Sequence, residues 1–185
     1  WMDNFDIGLS NGLRNKLAEA IAHDDKKLAK ELISTAVIVL STIALLLLCG
    51  LTAFVNTFDI YPMLNVDKNL IPNLRLVATL IGINISLSFA AKIIGSFFLA
   101  LQKPAINNLM GSIASTLTLL GLWCLSMNNY KSFLSVCVLF TALPLLVYIA
   151  FSIYAFKYKY KELSPSIRNF KKNIIKSLVN LGMKF

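Results

Sequence analysis

The chain has 185 residues, 57% of them hydrophobic and a formal net charge of +9. Soluble domains carry about 45–50% apolar residues, and a mean hydropathy of +0.69 places this chain well beyond them. The excess lies in long runs, the mark of membrane helices rather than of a larger soluble core, and the positive charge lies outside those runs, which argues against a nucleic-acid partner.

The chain opens on Trp1 and Met2 with no basic segment ahead of a short apolar stretch, so no secretory leader is expected. Residues 1–9, WMDNFDIGL, are expected to end an earlier helix of a longer protein, with Trp1 as an interface anchor. The stretch GLSNGLRNKLAEA at 8–20 follows. Leu13, Leu17, Ala20 and Ile21 recur at helical spacing with Asn11 as the expected N-cap. The HDD at 23–25 breaks that pattern, and Asp24 or Asp25 is placed to cap a helix running through Leu28 and Leu32 into the first apolar run.

Four runs are long enough to cross a bilayer: 33–55, 76–101, 105–127 and 133–156. Each exceeds the ~20 residues that cross a hydrocarbon core of about 30 Å. The fold class expected is therefore all-α: a polytopic membrane helix bundle with four complete spans plus cytoplasmic amphipathic helices. Its parts are a connector (1–32), the bundle (33–156) and a basic linker (157–185). The connections at 56–75, QKP at 102–104 and NNYKS at 128–132 are polar, and the short ones set consecutive helices antiparallel. Pro104 suits the first turn of the third span. Beyond SPS at 164–166, Ile167, Phe170, Ile174, Leu178 and Leu181 share a face opposite Lys171, Lys172 and Lys176. That helix is expected on the inner membrane surface, the alternative being a connector packed on the bundle.

Charge sets the orientation. Fourteen lysines and arginines lie in residues 1–32, at Lys103 or beyond Phe156, against three (Lys68, Arg75, Lys131) in the alternate connections. By the positive-inside rule both ends of the chain and the QKP turn are cytoplasmic, and the net charge reports contact with anionic headgroups.

Lys92 is the one charge within a span. It lies roughly 13 Å along the helix from Leu101, and its side chain tilts toward the helix N-terminus, away from the near surface. A charge there costs at least ~2.5–3.5 kcal/mol. Asn84, Ser88, Lys92 and Ser96 are four apart and form one polar stripe, suited to a wet cavity in which a cation attracts an anion such as a diphosphate. The competing reading is a snorkelling or pair-forming lysine with a structural role. None of the spans holds Asp, Glu or His, so they carry no proton or sodium relay; Asp6 is the one acid placed to approach the membrane. Cys49, Cys124 and Cys137 lie within apolar runs, form no CxxC pair and are remote from His23, so no metal site, disulfide or cofactor is expected. Asp59 and Asp67 on the outer loop are read as solvated acids, and the chain is not expected to be an enzyme. Gly8 and Gly12 form a GxxxG, and Gly111, Ser115 and Thr118 share a face; close helix packing is the reading for both.

The run FDIGLSNGLRNKLAEAIAHDDKKLAKELISTA, residues 5–36, resembles the region between the second and third helices of bacterial polysaccharide-repeat flippases. These are the O-antigen and capsule-type members of the multidrug/oligosaccharidyl-lipid/polysaccharide (MOP) exporter superfamily. The FDIG turn, the NGLRNKL run, the following EA and the ISTA opening the next span carry the resemblance, with ALQKPAINNL at 100–109 and LGMKF at 181–185. Val37 departs from it, standing where an aromatic residue is common. The resemblance implies part of the N-terminal lobe of a fourteen-helix fold, about helices two to seven. It also implies a transporter that flips undecaprenyl-diphosphate-linked oligosaccharide across the bacterial cytoplasmic membrane by alternating access, with a second lobe as partner. It gives Lys92, with Asn84, Ser88 and Ser96, a cavity role toward cargo. Arg14 and Lys16 either anchor to headgroups or meet the diphosphate. An exporter of drugs or another lipid in the same fold, and a small membrane scaffold that transports nothing, are the alternatives.

Overall fold

The computed structural model describes residues 9–67, 73–91, 93–127 and 132–182. Lys92, Asp6, Gly8, most of the NNYKS turn and residues 183–185 lie outside them, and so do the expectations placed there.

Helix α1 (Leu9–Ala22) turns into α2 (Lys26–Thr57) over three residues. Asp24 takes the left-handed conformation at φ 52°, which aspartate tolerates better than most residues, and Asp25 N–H closes the end of α1 on Ala20 C=O at 2.9 Å. The Asp25 carboxylate then caps α2, accepting from Leu28 N–H at 2.9 Å. Of the two candidate caps, Asp24 makes the turn and Asp25 the cap. Asn11 is not an N-cap: it lies inside α1, because the helix already includes Leu9.

With 32 residues, α2 is about 48 Å long and outreaches the hydrocarbon core. Thr42, Thr52 and Thr57 donate their hydroxyls to carbonyls four residues back, so they need no partner in lipid. A short helix, α3 (Ile60–Leu64), follows, capped by Asp59 and closed by Asn65 in the left-handed region. The second span is α4 (Leu74–Ala91) and α5 (Ile93–Ala100). It ends where Gln102 takes φ 56° and Lys103 N–H reaches back to Phe98 C=O. Pro104 then opens α6 (Pro104–Met127) as its first residue, where a missing N–H is harmless. Helix α7 (Phe133–Ile153) contains Pro144 and widens into a π-helical turn, Tyr154–Lys159. Two 3-10 turns, Lys161–Leu163 and Ile167–Asn169, lead to α8 (Lys172–Gly182).

Four helical stretches are long and apolar enough to span: Lys26–Thr57, Leu74–Ala100, Pro104–Met127 and Phe133–Lys159. Helix α4 lies between α2 and α7, and α6 packs on α7. The all-helical bundle expected from the apolar runs is therefore present.

The core is at one end. Leu13, Leu17, Ile33, Ile94, Phe97, Phe98 and Met110 are closed from solvent there, where α1 packs on α2, α5 and α8. The rest of the spans exposes large apolar side chains, Leu46, Leu119, Trp123 and Phe140 among them. A soluble protein would not leave so broad an apolar surface open; a lipid-facing one must. Cys49 and Cys124 are exposed there, and Cys137 is half-buried.

Two packing expectations are corrected. Ile167 and Phe170 do not belong to the last helix: Ile167 sits in a 3-10 turn at 84% exposure, and α8 begins at Lys172. Instead of lying wholly on a membrane surface, α8 closes Leu178 against α1 and α2. A side chain at Gly111 would meet nothing within 4 Å, and Ser115 is exposed; the buried face of α6 is Met110, Ala114 and Thr118. Gly12, by contrast, sits where a side chain would strike the Leu178 carbonyl of α8.

Candidate functional site

The polar stripe of the second span divides. Asn84 is half-buried and donates its amide N–H to the Thr141 carbonyl of α7. Pro144, three residues on, has no N–H to donate within α7 and so loosens that stretch of the carbonyl ladder. Ser88 Oγ reaches Asn84 Oδ1 at 3.4 Å. Asn84 and Ser88 thus form one interhelical unit. Ser96 lies apart, buried in α5, whose main packing is against α1.

A cavity of about 310 Å³ lies between α2, the second span and α7. Ala91 and Ile93, the neighbours of position 92, line it with Leu87 and Phe156, and Ser41 and Ser152 supply its hydroxyls. Pro165, from the segment after α7, also contributes to its lining.

At the other candidate positions, Arg14 is exposed on α1. Lys16 lies in a separate crevice of about 350 Å³ with Glu19 and His23, against Ile174 and Ser177 of α8. Two positions along a helix are about 200° apart, so Arg14 and Lys16 diverge rather than clamp one anion. Among the described residues no three His, Cys, Asp or Glu side chains converge as a metal set would.

The structure assembles a further set that sequence spacing does not reveal. Ser34 and Thr35 are fully buried. Ser34 Oγ donates to Lys30 C=O and accepts from Ser166 N–H at 3.0 Å; Thr35 Oγ1 accepts from Lys171 N–H at 3.1 Å. Together they strap residues 166–171 across α2. Lys26 Nζ pairs with Glu162 Oε2 at 2.9 Å, and Lys103 Nζ donates to the Tyr160 hydroxyl at 2.7 Å. The Tyr160 ring meets Phe97 edge-on at 5.3 Å. The Lys26 ammonium, hydrogen-bonded to Glu162 and attracting it, holds that carboxyl below its ordinary value of 4.5. The signal for the strap was the adjacent Ser-Thr pair opening an otherwise apolar run; its acceptors serve a segment more than 130 residues away.

The helical bundle order and the core gathered at one end have a counterpart among solved proteins. The chain is similar to a structure described as the inward-facing conformation of a multidrug resistance MATE family transporter of the MOP superfamily, with a TM-score of 0.77 at 13% identity. The likeness covers 98% of this chain and 41% of that one, so the chain spans under half the length of the transporter it matches. The sequence matches no protein-family model and no curated protein.

Proposed function

We propose that the chain forms part of one lobe of a transporter that moves undecaprenyl-diphosphate-linked oligosaccharide across the bacterial cytoplasmic membrane by alternating access. The observation that carries the transporter reading is the fold likeness over nearly the whole chain. The residues of the 5–36 stretch, with ALQKPAINNL, favour the oligosaccharide cargo over others. In this reading a second lobe outside this chain completes the cavity, no chemical bond is made or broken, and both ends of the piece are cytoplasmic.

Lys92 is the proposed cargo contact, its ammonium balancing the diphosphate of the cargo. Asn84 and Ser88 act on the same helix as a polar seam to α7, and Ser96 sits nearer the cytoplasmic end. Arg14, exposed on α1, anchors to phosphate headgroups and is the more open of the two connector cations to incoming cargo; Lys16 is half-buried at the edge of its own crevice. Lys92→Ala in the full-length protein is expected to lower surface polysaccharide severalfold at equal membrane insertion; normal polysaccharide at equal expression would remove Lys92 from the cargo path.

A drug exporter is the second reading, favoured by the description of the matched structure as a multidrug transporter. Deleting the gene separates the two. Loss of surface polysaccharide with accumulated lipid-linked units supports the first; unchanged polysaccharide with raised drug sensitivity supports the second.

A further inference from the structure

A half-open crevice of about 430 Å³ lies at the basic end of the bundle, between the α1–α2 turn and the segment that follows α7. Ile21, Ala29, Leu101 and the Tyr158 and Tyr160 side chains give it an apolar and aromatic lining. Its charges are sorted by element. The α1–α2 turn contributes Asp24 and Asp25, and the opposite segment contributes Lys159 and Lys161. The Lys26–Glu162 pair, 2.9 Å long, ties the two walls together and satisfies one charge of each sign. Asp25 directs Oδ1 to the α2 cap. Around that pair the crevice is polarised: the Asp24 carboxylate, which also attracts Lys26, lies on the turn, and the Lys159 and Lys161 ammonium groups belong to the opposite segment, with Lys159 Nζ 5.9 Å from the Tyr160 ring centre.

The level of the crevice is set by the helices. The fourth candidate span ends at Lys159 and the first begins at Lys26, so the crevice opens in the headgroup layer, where tyrosines and lysines concentrate.

We infer that this crevice binds the headgroup of a phospholipid carrying both a phosphodiester and a primary ammonium, with the phosphate on Lys159 and Lys161 and the ammonium on Asp24. A glycerol headgroup would supply the phosphate for the lysines but no cation to meet Asp24. A quaternary ammonium has no N–H to donate to a carboxylate. The occupant is thus phosphoethanolamine in character, and this holds whatever cargo the transporter moves, since it rests only on the chain spanning a membrane.

The test uses the purified full-length protein and an equimolar mixture of phosphatidylethanolamine, phosphatidylglycerol and phosphatidylcholine, with retained lipid read by native mass spectrometry. The wild type is expected to retain phosphatidylethanolamine about tenfold over either competitor, the equivalent of one charge-assisted hydrogen bond. Lys159→Gln with Lys161→Gln should abolish that retention. Asp24→Asn should erase the preference over phosphatidylglycerol while keeping the turn, since asparagine accepts a positive φ. Glycerophosphoethanolamine, the soluble headgroup alone, should compete at least about tenfold more weakly than the lipid; equal competition would overturn the lipid as its source. Equal retention of the three lipids, or variants indistinguishable from wild type, would overturn the site. All three substituted residues are exposed, so the variants should elute as the wild type does, and altered lipid selectivity then reports the crevice rather than the fold.

Discussion

Gly12 shows how much one side chain can decide. Its α1 backbone approaches the Leu178 carbonyl of α8 so closely that a methyl group has no room, and backbone, unlike a flexible side-chain tip, cannot swing aside. Gly12→Ala is expected to cost about 1–3 kcal/mol, the range for overpacking. Gly111→Ala, where nothing lies within 4 Å, should be neutral or gain up to about 1 kcal/mol from helix propensity. Unfolding midpoints in detergent check the pair: equal shifts at both positions would contradict the close approach. The glycine spacing is visible in the sequence at both places, but only the packing distinguishes a contact from an open helix surface. The same holds for Asn84, whose value as a polar residue in a span is plain from the sequence while its carbonyl partner on α7 is not. Interhelical bonds of this kind contribute about 0.6 kcal/mol on average, so Asn84 contributes to helix placement as well as to any cavity.

At the scale of elements, the segment from Tyr160 to Lys171 is held to α2 by two buried hydroxyls and one exposed ion pair. The hydroxyl bonds are worth about 1 kcal/mol each. Ser34→Ala and Thr35→Val are therefore expected to speed amide exchange at Ser166 and Lys171 respectively by about fivefold, and Thr35→Ser should restore the slow rate at Lys171. The Lys26–Glu162 pair behaves differently, because its side chains are 64% and 73% exposed and salt screens it. Glu162 has a lowered carboxyl, so its share of stability is present above the ordinary value of 4.5 and is lost as pH falls through the folded value. A double-mutant cycle with Lys26→Gln and Glu162→Gln should show coupling at pH 7 in low salt. That coupling should vanish both in high salt and at acid pH well below 4.5; coupling that persists in acid would exclude the ion pair as its source. The sequence marked Ser34 and Thr35 as the opening of a span, yet not as a clasp, since their partners lie beyond three further spans.

Across the whole molecule, one end gathers α1, α5, α8, Lys103 and the strap into a closed core, while the remainder leaves large apolar side chains exposed. That asymmetry agrees with the sorting of basic residues along the sequence, and it brings the basic segments to a common end. Reporter fusions in the full-length protein are expected to read outside at Asn65 and inside at Lys161; a cytoplasmic signal at Asn65 would reverse the orientation. The likeness to a MATE-family transporter structure covers less than half of that chain.

The sequence by itself determined the number of spans, their approximate limits, the Asp cap of α2 and the role of Pro104. Each follows from local hydropathy or from backbone chemistry within a few residues. Only the tertiary structure decided that Asn11 lies inside a helix, that α8 starts at Lys172 and closes on Gly12, and that α7 widens into a π turn that seats Tyr160 on Phe97. Only it decided that Asp24 lines one crevice with Lys159 and Lys161. The inter-element contacts among these join residues 60 or more positions apart, and in a membrane bundle nearly every apolar side chain suits either a neighbour or the bilayer. Hydropathy therefore places a helix in the membrane without choosing its partner; backbone approach, buried hydroxyls and paired charges make that choice.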